Sequence, residues 1–474
     1  MTEATSEPST VRSGGLVERR SIGVVPDAER HGRPVNQFTL WFGTNLQITT
    51  VVTGALAVVF GSGAFWAVLG LLIGNALGGA VMALHSAQGP KLGLPQMISS
   101  RAQFGVFGAA VPLVLVVLMY IGFFASGAVL AGQALASLLG APDVLGIVLF
   151  AVITAVVTVI GYRLIHAVGR VASVVGALAF LYLVVRLCTS VDVPAILHPG
   201  GFDFPLFLLA ISLAASWQLA FGPYVADYSR YLPRSTSARA TFWWTFGGSV
   251  LGAQWAMSFG AVAAAAAGGA FTGHEVGYIV GLGGAGAMAG VLYFVIAFGK
   301  LTVSVLDGYG GFMTITTIIS GFRGQREVSK FARATWISAI MAAGTVLALA
   351  GRGDFLDSFS TFLLFLLTFF TPWSAVNLVD YYLIAKERYD LPALSDPGGR
   401  YGRWRMPALT AYIIGVLAQL PFLSTAFYTG PLVEPLGGAD ISWIIGLVIP
   451  AVLYWVLTKR TGSAAPAETI LPPG

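Results

Sequence analysis

Long apolar segments follow one another along almost the whole chain, and they constrain its fold more than any other feature. A helix needs about 20 mostly apolar residues to cross a membrane, and this criterion predicts twelve crossings, which are called spans 1 to 12. Only 10% of the residues are charged, against about 25% in a soluble domain. The predicted fold class is therefore an all-α polytopic membrane protein. In chain order the spans are 36–60, 63–86, 107–138, 143–162, 166–190, 205–229, 241–268, 278–306, 333–350, 355–384, 407–427 and 441–458.

Positive charges divide the connections between the spans into two sets. The connections on one side carry only Arg186 and Arg352, and Lys300 lies within span 8. The other lysines and arginines lie on the opposite connections and in the two termini. The positive-inside rule places this second set in the cytoplasm, which predicts a cell-membrane protein with both termini cytoplasmic. Because the loops explain the net charge of +5, no nucleic-acid partner is expected, and membrane lipid surrounds the protein.

The two ends of the chain differ from the rest in composition. Residues 1–35 are mostly polar and residues 461–474 are rich in Ala and Pro, so both are predicted to be disordered cytoplasmic tails. The first residues lack an apolar core, and no cleavable signal peptide is expected. The single cysteine, Cys188, excludes an intrachain disulfide.

Span 8 carries polar side chains at a depth where they are costly. Lys300, Ser304 and Asp307 share one face of an α-helix, because residues four and seven apart lie together. Charged residues inside a membrane are candidate functional residues by default. Lys300 and Asp307 lie about 10 Å apart along the axis, so each is expected to meet partners on other helices. The structural alternatives are an ion pair that locks two helices, or a lysine that extends to the membrane surface.

Spans 1 and 6 are both interrupted. Span 1 contains FGTNLQITTVVTG (42–54), and bonds from threonine to its own helix explain neither Asn45 nor Gln47. Span 6 contains SWQ (216–218) and then Gly222-Pro223, and proline inside a helix bends it. Interrupted helices are tolerated in a membrane where they line a cavity.

The interruptions also indicate the domain organisation. Each interrupted helix begins a set of five, and such pairing is typical of inverted-repeat transporters with a binding site at the membrane midplane. The predicted repeats are 36–204 and 205–400, and helices 11 and 12 (401–460) lie outside them.

Two glycine patterns are read as helix packing. Gly70, Gly74 and Gly78 recur every four residues in span 2, which lets helices approach closely. GLGGAGAMAG (281–290) matches G-x-G-x-x-G, but a dinucleotide site needs a preceding strand in a βαβ unit. Close helix packing is therefore the prediction for this segment as well.

Several motifs together resemble the nucleobase:cation symporter-1 family, in its purine-cytosine permease branch. They cover VVTGALAVVFG (51–61), GLPQMISSRAQFG (93–105), SWQLAFGPYVADYSRYLP (216–233), DGYGG (307–311), placed at the end of span 8, and PWSAVNLVDYYLIAKERY (372–389). The resemblance implies a five-plus-five inverted repeat of the leucine-transporter type. It also implies import of a planar nitrogen heterocycle by alternating access, driven by sodium or protons.

The resemblance implies substrate contacts as well. Family members hold the ring between aromatic residues of helices 3 and 6, and the matching positions are Phe123 and Trp217. A family amide one turn after Phe123 is replaced by Gly127. Helix 1 would contribute contacts around Gly43, Asn45 and Gln47. Aromatic faces and polar edges also suit a flat heterocycle on physical grounds, and Gln218, Ser304 and Asp307 extend the set of candidates.

Span 8 departs from the pattern of sodium-coupled relatives. These bring two adjacent hydroxyl residues to the ion, whereas this chain has Thr302, Val303 and Ser304. Sodium would lie near Gly43 and Thr302, where the ammonium of Lys300 would repel it. The candidates for the coupling role are thus Lys300, Thr302 and Asp307, with Lys300 or Asp307 carrying a proton.

Other classes of protein fit the sequence less well. No GxxxxGK[ST] motif is present for ATP, and neither H-E-x-x-H nor G-x-S-x-G indicates an enzyme. The paired interruptions favour a transporter over a channel. No cofactor or resident metal is expected beyond the coupling ion, and the protein would be a monomer or a weak oligomer. Cytosine, purines, uracil, hydantoins, allantoin and vitamin-like heterocycles all remain open as substrates, with a nucleobase favoured by analogy.

Overall fold

The structure is a computed structural model that describes residues 23–160, 162–324, 328–461, 466 and 468–471, without the side chains of 162–173. Within these residues nearly all regular structure is helical. One small antiparallel hairpin pairs β1 (Ser424–Thr425) with β2 (Tyr428–Thr429). The α-helices are α1 Val35–Asn45, α2 Ile48–Val59, α3 Ala64–Ser86, α4 Gly89–Leu92, α5 Gln96–Phe104, α6 Ala110–Leu139, α7 Asp143–Ile160, α8 Tyr162–Ser190, α9 Val193–Ile196, α10 Phe204–Leu219, α11 Gly222–Ser229, α12 Ala238–Ala267, α13 Glu275–Gly283, α14 Ala287–Arg323, α15 Lys330–Gly351, α16 Phe355–Leu378, α17 Met406–Gln419 and α18 Ser442–Thr461.

These helices agree with the predicted polytopic fold. Among the described residues, eight helices are long and apolar enough to cross a membrane, and two bent pairs raise the number to ten. Two shorter apolar helical segments, Val174–Ser190 and Met406–Phe422, coincide with spans 5 and 11. The total is consistent with twelve crossings.

The two predicted interruptions are confirmed. Helices α1 and α2 meet at an angle of 63°, and α10 and α11 meet at 40°. The first bend lies at Leu46 and Gln47, where the backbone of Gln47 is extended. The second bend follows Ala220, and Pro223 stands in the first turn of α11. In the first turn of a helix a backbone N–H has no intrahelical acceptor, so the missing N–H of proline costs nothing there.

The prediction for span 8 is wrong at both ends. Residues 278–306 belong to two helices: α13 ends at Gly283, and α14 runs on to Arg323, so that the DGYGG segment lies in mid-helix. Gly284 and Gly286 form the turn between α13 and α14 with positive φ values of 119° and 63°. Of the G-x-G-x-x-G glycines, Gly286 lies in this turn, and Gly283 at the end of α13 packs closely against Leu292.

The packing of the helices has the predicted two-fold internal symmetry. Span 1 packs on span 7 as span 6 packs on span 2, through α1 with α12 and α10 with α3. Likewise, span 3 contacts spans 4 and 9, and span 8 contacts spans 9 and 4. Spans 1, 2, 6 and 7 thus form one group, called the bundle, and spans 3, 4, 8 and 9 form a second, called the scaffold. Within the scaffold, helices α6 and α14 pack against each other.

Part of the predicted N-terminal tail is packed against the helices. The backbone N–H of Val25 donates to Gly93 O, and that of His31 donates to Tyr231 O. Arg30 is buried and its guanidinium donates to the carbonyl oxygens of Val25 and Pro90. At the other end of the chain, Ile470 pairs with 389–391 through backbone bonds. The rest of both predicted tails, 1–22 and most of 462–474, lies outside the described residues.

The glycine stripe of span 2 brings α3 against α10, as predicted. A Cβ added at Gly74 would lie 2.2 Å from the carbonyl oxygen of Ile211. The neighbouring glycines Gly70 and Gly78 face Phe207 and Ala215 in the same way. The two bundle helices therefore touch backbone to backbone, and no side chain can be inserted without separating them.

Gly74→Ala should destabilise the protein by about 1–3 kcal/mol, because overpacking forces the helices apart. The matched control is Gly176→Ala in α8, where an added Cβ meets nothing within 4 Å and alanine favours the helix. The midpoint of thermal unfolding in detergent should fall for the first variant and stay level or rise for the second. Equal midpoints for both would contradict the packing argument.

Candidate functional site between the two interrupted helices

A cavity of about 840 Å³ lies where the interruptions of spans 1 and 6 face helices α6, α8 and α14. Its wall includes Gln47 at the first interruption and Trp217 just before the second. The cavity extends to the end of the molecule that carries His31, Asn36 and Arg230. A volume of this size is typical of a small-molecule site.

The interruption of span 1 is stabilised by its own side chains. The amide nitrogen of Gln47 donates to Thr44 O at 2.9 Å, where the helix can no longer supply a partner. The hydroxyl of Thr49 donates to Gln47 Oε1 at 2.9 Å. Unpaired backbone groups cost several kcal/mol in a membrane, and Gln47 lowers this cost while it stays on the cavity wall.

Lys300 of α14 reaches this interruption from the scaffold. Its side chain is only 2% exposed, and its Nζ donates to Gln47 Oε1 at 3.2 Å. Its aliphatic part lies across Gly127 of α6, where an added Cβ would come within 1.8 Å of Lys300 Cε. The missing side chain at Gly127 is therefore what gives the lysine its path to the interruption.

Asp307 lies two turns further along α14 and also lines the cavity. It is 6% exposed, and its Oδ2 has no hydrogen-bond partner among the described residues. Tyr120 of α6 and Tyr224 of α11 lie within electrostatic range of it, as does Lys300. The cavity thus contains a buried cation and a buried carboxyl group on one helix face, as the sequence predicted.

Aromatic rings cover much of the cavity wall. The rings of Phe123 and Trp217 meet edge to face, with centroids 5.6 Å apart and an interplanar angle of 88°. Phe221 meets Trp217 at 5.8 Å and 87°. Stacking on both faces of a ligand needs two parallel rings. The implied sandwich between Phe123 and Trp217 is therefore not formed in this conformation.

Four of the candidate residues do not line the cavity. Asn45 lies behind Trp217, whose indole N–H donates to Asn45 Oδ1 at 2.7 Å. Gln218 lies inside the bundle, where it donates to Asn75 Oδ1 and accepts from Ser249. Gly127 contacts Lys300 as described, and Ser304 is fully buried, with no partner for its hydroxyl among the described residues. The cavity wall does include Gly43, Gln47, Phe123, Trp217, Lys300, Thr302 and Asp307.

Other lining residues were not singled out from the sequence. Phe221, Tyr224 and Tyr228 line the cavity, and they follow Trp217 at helical spacings of four, seven and eleven residues. Trp41 packs against Phe221 with centroids 5.3 Å apart and donates from its indole to Gln37 Oε1. The aromatic periodicity that continues from Trp217 was the available signal.

The cation position implied by sodium-coupled relatives has few side-chain oxygens in this chain. Thr302 donates its hydroxyl to Gly299 O at 2.7 Å, within its own helix. Val303 offers no oxygen from its side chain, and Ser304 does not line the cavity. The ammonium of Lys300 stands at Gln47 instead. Sodium prefers several oxygen ligands, whereas a nearby ammonium repels it.

A cavity between paired interrupted helices, inside two-fold repeated packing, defines a secondary transporter. Residues 24–446 match the family described as permease for cytosine/purines, uracil, thiamine, allantoin. The chain is 41% identical over 444 residues to YxlA of Bacillus subtilis (strain 168), a candidate purine-cytosine permease, and the match covers 94% of this chain and 96% of YxlA. The chain therefore belongs to this permease family, and the resemblance found in the sequence is confirmed.

More distant relatives agree with this assignment. Purine-cytosine permease fcyB of Emericella nidulans is 24% identical over 458 residues, which covers 93% of this chain and 88% of fcyB. The inward-facing conformation of Mhp1 superposes with a TM-score of 0.76 at 18% identity and covers 98% of this chain and 100% of Mhp1. Mhp1 in a closed conformation with bromovinylhydantoin bound gives 0.73, also at 18% identity, and covers 95% of this chain and 97% of Mhp1. These structures confirm the predicted fold.

Gly127→Ala should move Lys300 away from Gln47 with little loss of stability, because the lysine is a flexible side chain. We expect slower substrate uptake by the reconstituted protein and an unfolding midpoint near that of the wild type. The control is Gly290→Ala in α14, where the nearest atom to an added Cβ is 3.9 Å away. Wild-type uptake by Gly127→Ala would show that the position of Lys300 does not matter.

Proposed function

We propose that the protein is a proton symporter that imports a nucleobase or a closely related planar nitrogen heterocycle by alternating access. The observation that carries the proposal is the cavity wall, where aromatic rings adjoin the buried pair Lys300 and Asp307 at the interruption of span 1. Aromatic rings hold the faces of a flat ligand, and polar groups bind its edges. The family assignment supports the same class of substrate. A vitamin-like heterocycle is the alternative substrate.

The substrate is proposed to stack on Trp217. The bond from its indole to Asn45 fixes the ring, so Trp217 is a rigid platform. Phe123 would turn from its edge-on position to cover the other face of the ligand. Gln47 and Asp307 would then contact the polar edges, next to the backbone at Gly43.

The proton is proposed as the coupling ion because the residues present suit it better than sodium. Lys300 places its amino group between α14 and the interruption of span 1, where the ammonium form would repel sodium. A proton needs only a titratable side chain, and α14 supplies two on the cavity wall, Lys300 and Asp307. Thr302 is left with its intrahelical bond and no coupling role.

Import requires the cavity to open to each side of the membrane in turn. The positive-inside distribution supports cytoplasmic termini in the cell membrane. On that topology the cavity of this structure opens inward, at His31 and Arg230. Rocking of the bundle against the scaffold would then open the opposite side.

Trp217→Ala should weaken binding of cytosine or a purine by about 5- to 150-fold, since one lost stacking platform is worth about 1–3 kcal/mol. Ligand binding raises the unfolding midpoint by mass action, so a thermal-shift titration with a panel of heterocycles measures the effect. The control is Trp243→Ala on α12, a tryptophan that is 55% exposed. Wild-type affinity in Trp217→Ala would remove the stacking platform from the site.

Lys300→Ala should abolish accumulation driven by a gradient while substrate exchange across proteoliposome membranes persists. The reason is that the cation that links the scaffold to the interruption of span 1 is lost, although the aromatic platform remains. The control is Lys330→Ala at the exposed start of α15. Unchanged accumulation by Lys300→Ala would exclude Lys300 from the coupling.

A further inference from the structure

Asp307 places a buried carboxyl group on the cavity wall. Its Oδ2 is buried without a hydrogen-bond partner among the described residues, and the residue lines the cavity beside Tyr224 and Gly310. An unpaired polar atom in a buried site costs about 1–3 kcal/mol. A ligand that pairs with it would therefore recover this cost.

The charged and titratable groups around Asp307 come from three helices. Lys300 is on its own helix, and Tyr120 and Tyr224 approach from α6 and α11. Asp227 and Tyr228 lie beyond Tyr224, within its electrostatic range. Lys300 lies about two helical turns from Asp307 and donates to Gln47. Its amino group therefore leaves the carboxyl group of Asp307 available to a ligand.

The two protonation states of a carboxyl group bind different ligand edges. A carboxylate only accepts hydrogen bonds, whereas the neutral acid donates one and accepts another. The edge of cytosine has a ring nitrogen acceptor beside an amino donor, and hypoxanthine has an N–H donor beside a carbonyl acceptor. Each edge can pair twice with the neutral acid. With a carboxylate, one of the two positions would bring two acceptors together. Guanine shares the N–H and carbonyl edge of hypoxanthine and adds an amino donor next to it, so it can pair with either protonation state.

We propose that the coupling proton and the substrate bind as one unit at Asp307, and that the substrate class is a heterocycle with one donor and one acceptor side by side. The proton adds to one carboxylate oxygen from the loading side. The resulting O–H donates to the acceptor of the ring, and the other oxygen accepts from its donor. No covalent bond of the substrate changes. When the ring leaves, water that enters the open cavity solvates the carboxylate and accepts the proton, which is thus released on the same side.

This inference deepens the proposed function and rests on it. It explains why the ring is not carried without the proton, because a ring that faces the carboxylate would bring two acceptors together, at the cost of unsatisfied buried groups. In the empty form the carboxylate has the charge of Lys300 within electrostatic range.

Binding calorimetry on the purified protein tests the proposal, with cytosine and hypoxanthine as probes, in two buffers of different ionisation enthalpy. We expect uptake of about one proton for each ligand bound, and affinity that falls about tenfold per pH unit above the pKa of the carboxyl group.

Asp307→Asn is the matched variant, because the amide donates and accepts in the geometry of the neutral acid. It should bind cytosine within about threefold of the best wild-type affinity, at every pH and without proton uptake. Two results would overturn the proposal. One is proton uptake when Asp307→Asn binds cytosine, and the other is binding of cytosine by the wild type without proton uptake. If Asp307→Asn does not fold, the wild-type proton count decides alone. If wild-type protein binds no heterocycle, the proposed function itself fails, and this inference with it.

Discussion

The cost of leaving backbone polar groups unpaired inside a membrane is the constraint on which the structure depends. Span 1 bears this cost at Leu46 and Gln47, where the helix stops and restarts at 63°. The amide of Gln47 pairs with Thr44 O, and its oxygen accepts from Thr49 and Lys300. A single side chain thus stabilises the interruption, faces the cavity and contacts the scaffold.

Several hydrogen bonds between polar side chains hold the helices of the bundle together. Within the bundle, Asn45, Asn75, Gln218 and Ser249 form a buried network that joins spans 1, 2, 6 and 7. Glycine contacts such as that of Gly74 hold the same helices backbone to backbone. At the cavity, Lys300 donates one hydrogen bond of 3.2 Å from the scaffold to Gln47. A bundle that is held together internally suits the rocking motion proposed for transport.

Sequence reasoning predicted the interruptions and the lysine–aspartate pair because both break a local rule of membrane helices. It did not predict which side of a helix an amide faces. Asn45 and Gln218 resemble ligand contacts, yet they are satisfied by Trp217 and Ser249. Span 8 was misplaced because glycine turns and apolar residues occur together at 281–290. Residues 23–34 are polar enough to resemble a tail, but Arg30 bonds to backbone carbonyls, a tertiary contact without local signal.

The central claim is that a proton gradient drives transport through this cavity. The most direct measurement is uptake of labelled cytosine and hypoxanthine by proteoliposomes under an imposed pH gradient without sodium, compared with a sodium gradient at equal pH. The account predicts accumulation above equilibrium with the pH gradient and none with sodium alone. Accumulation that requires sodium and ignores the pH gradient would contradict it.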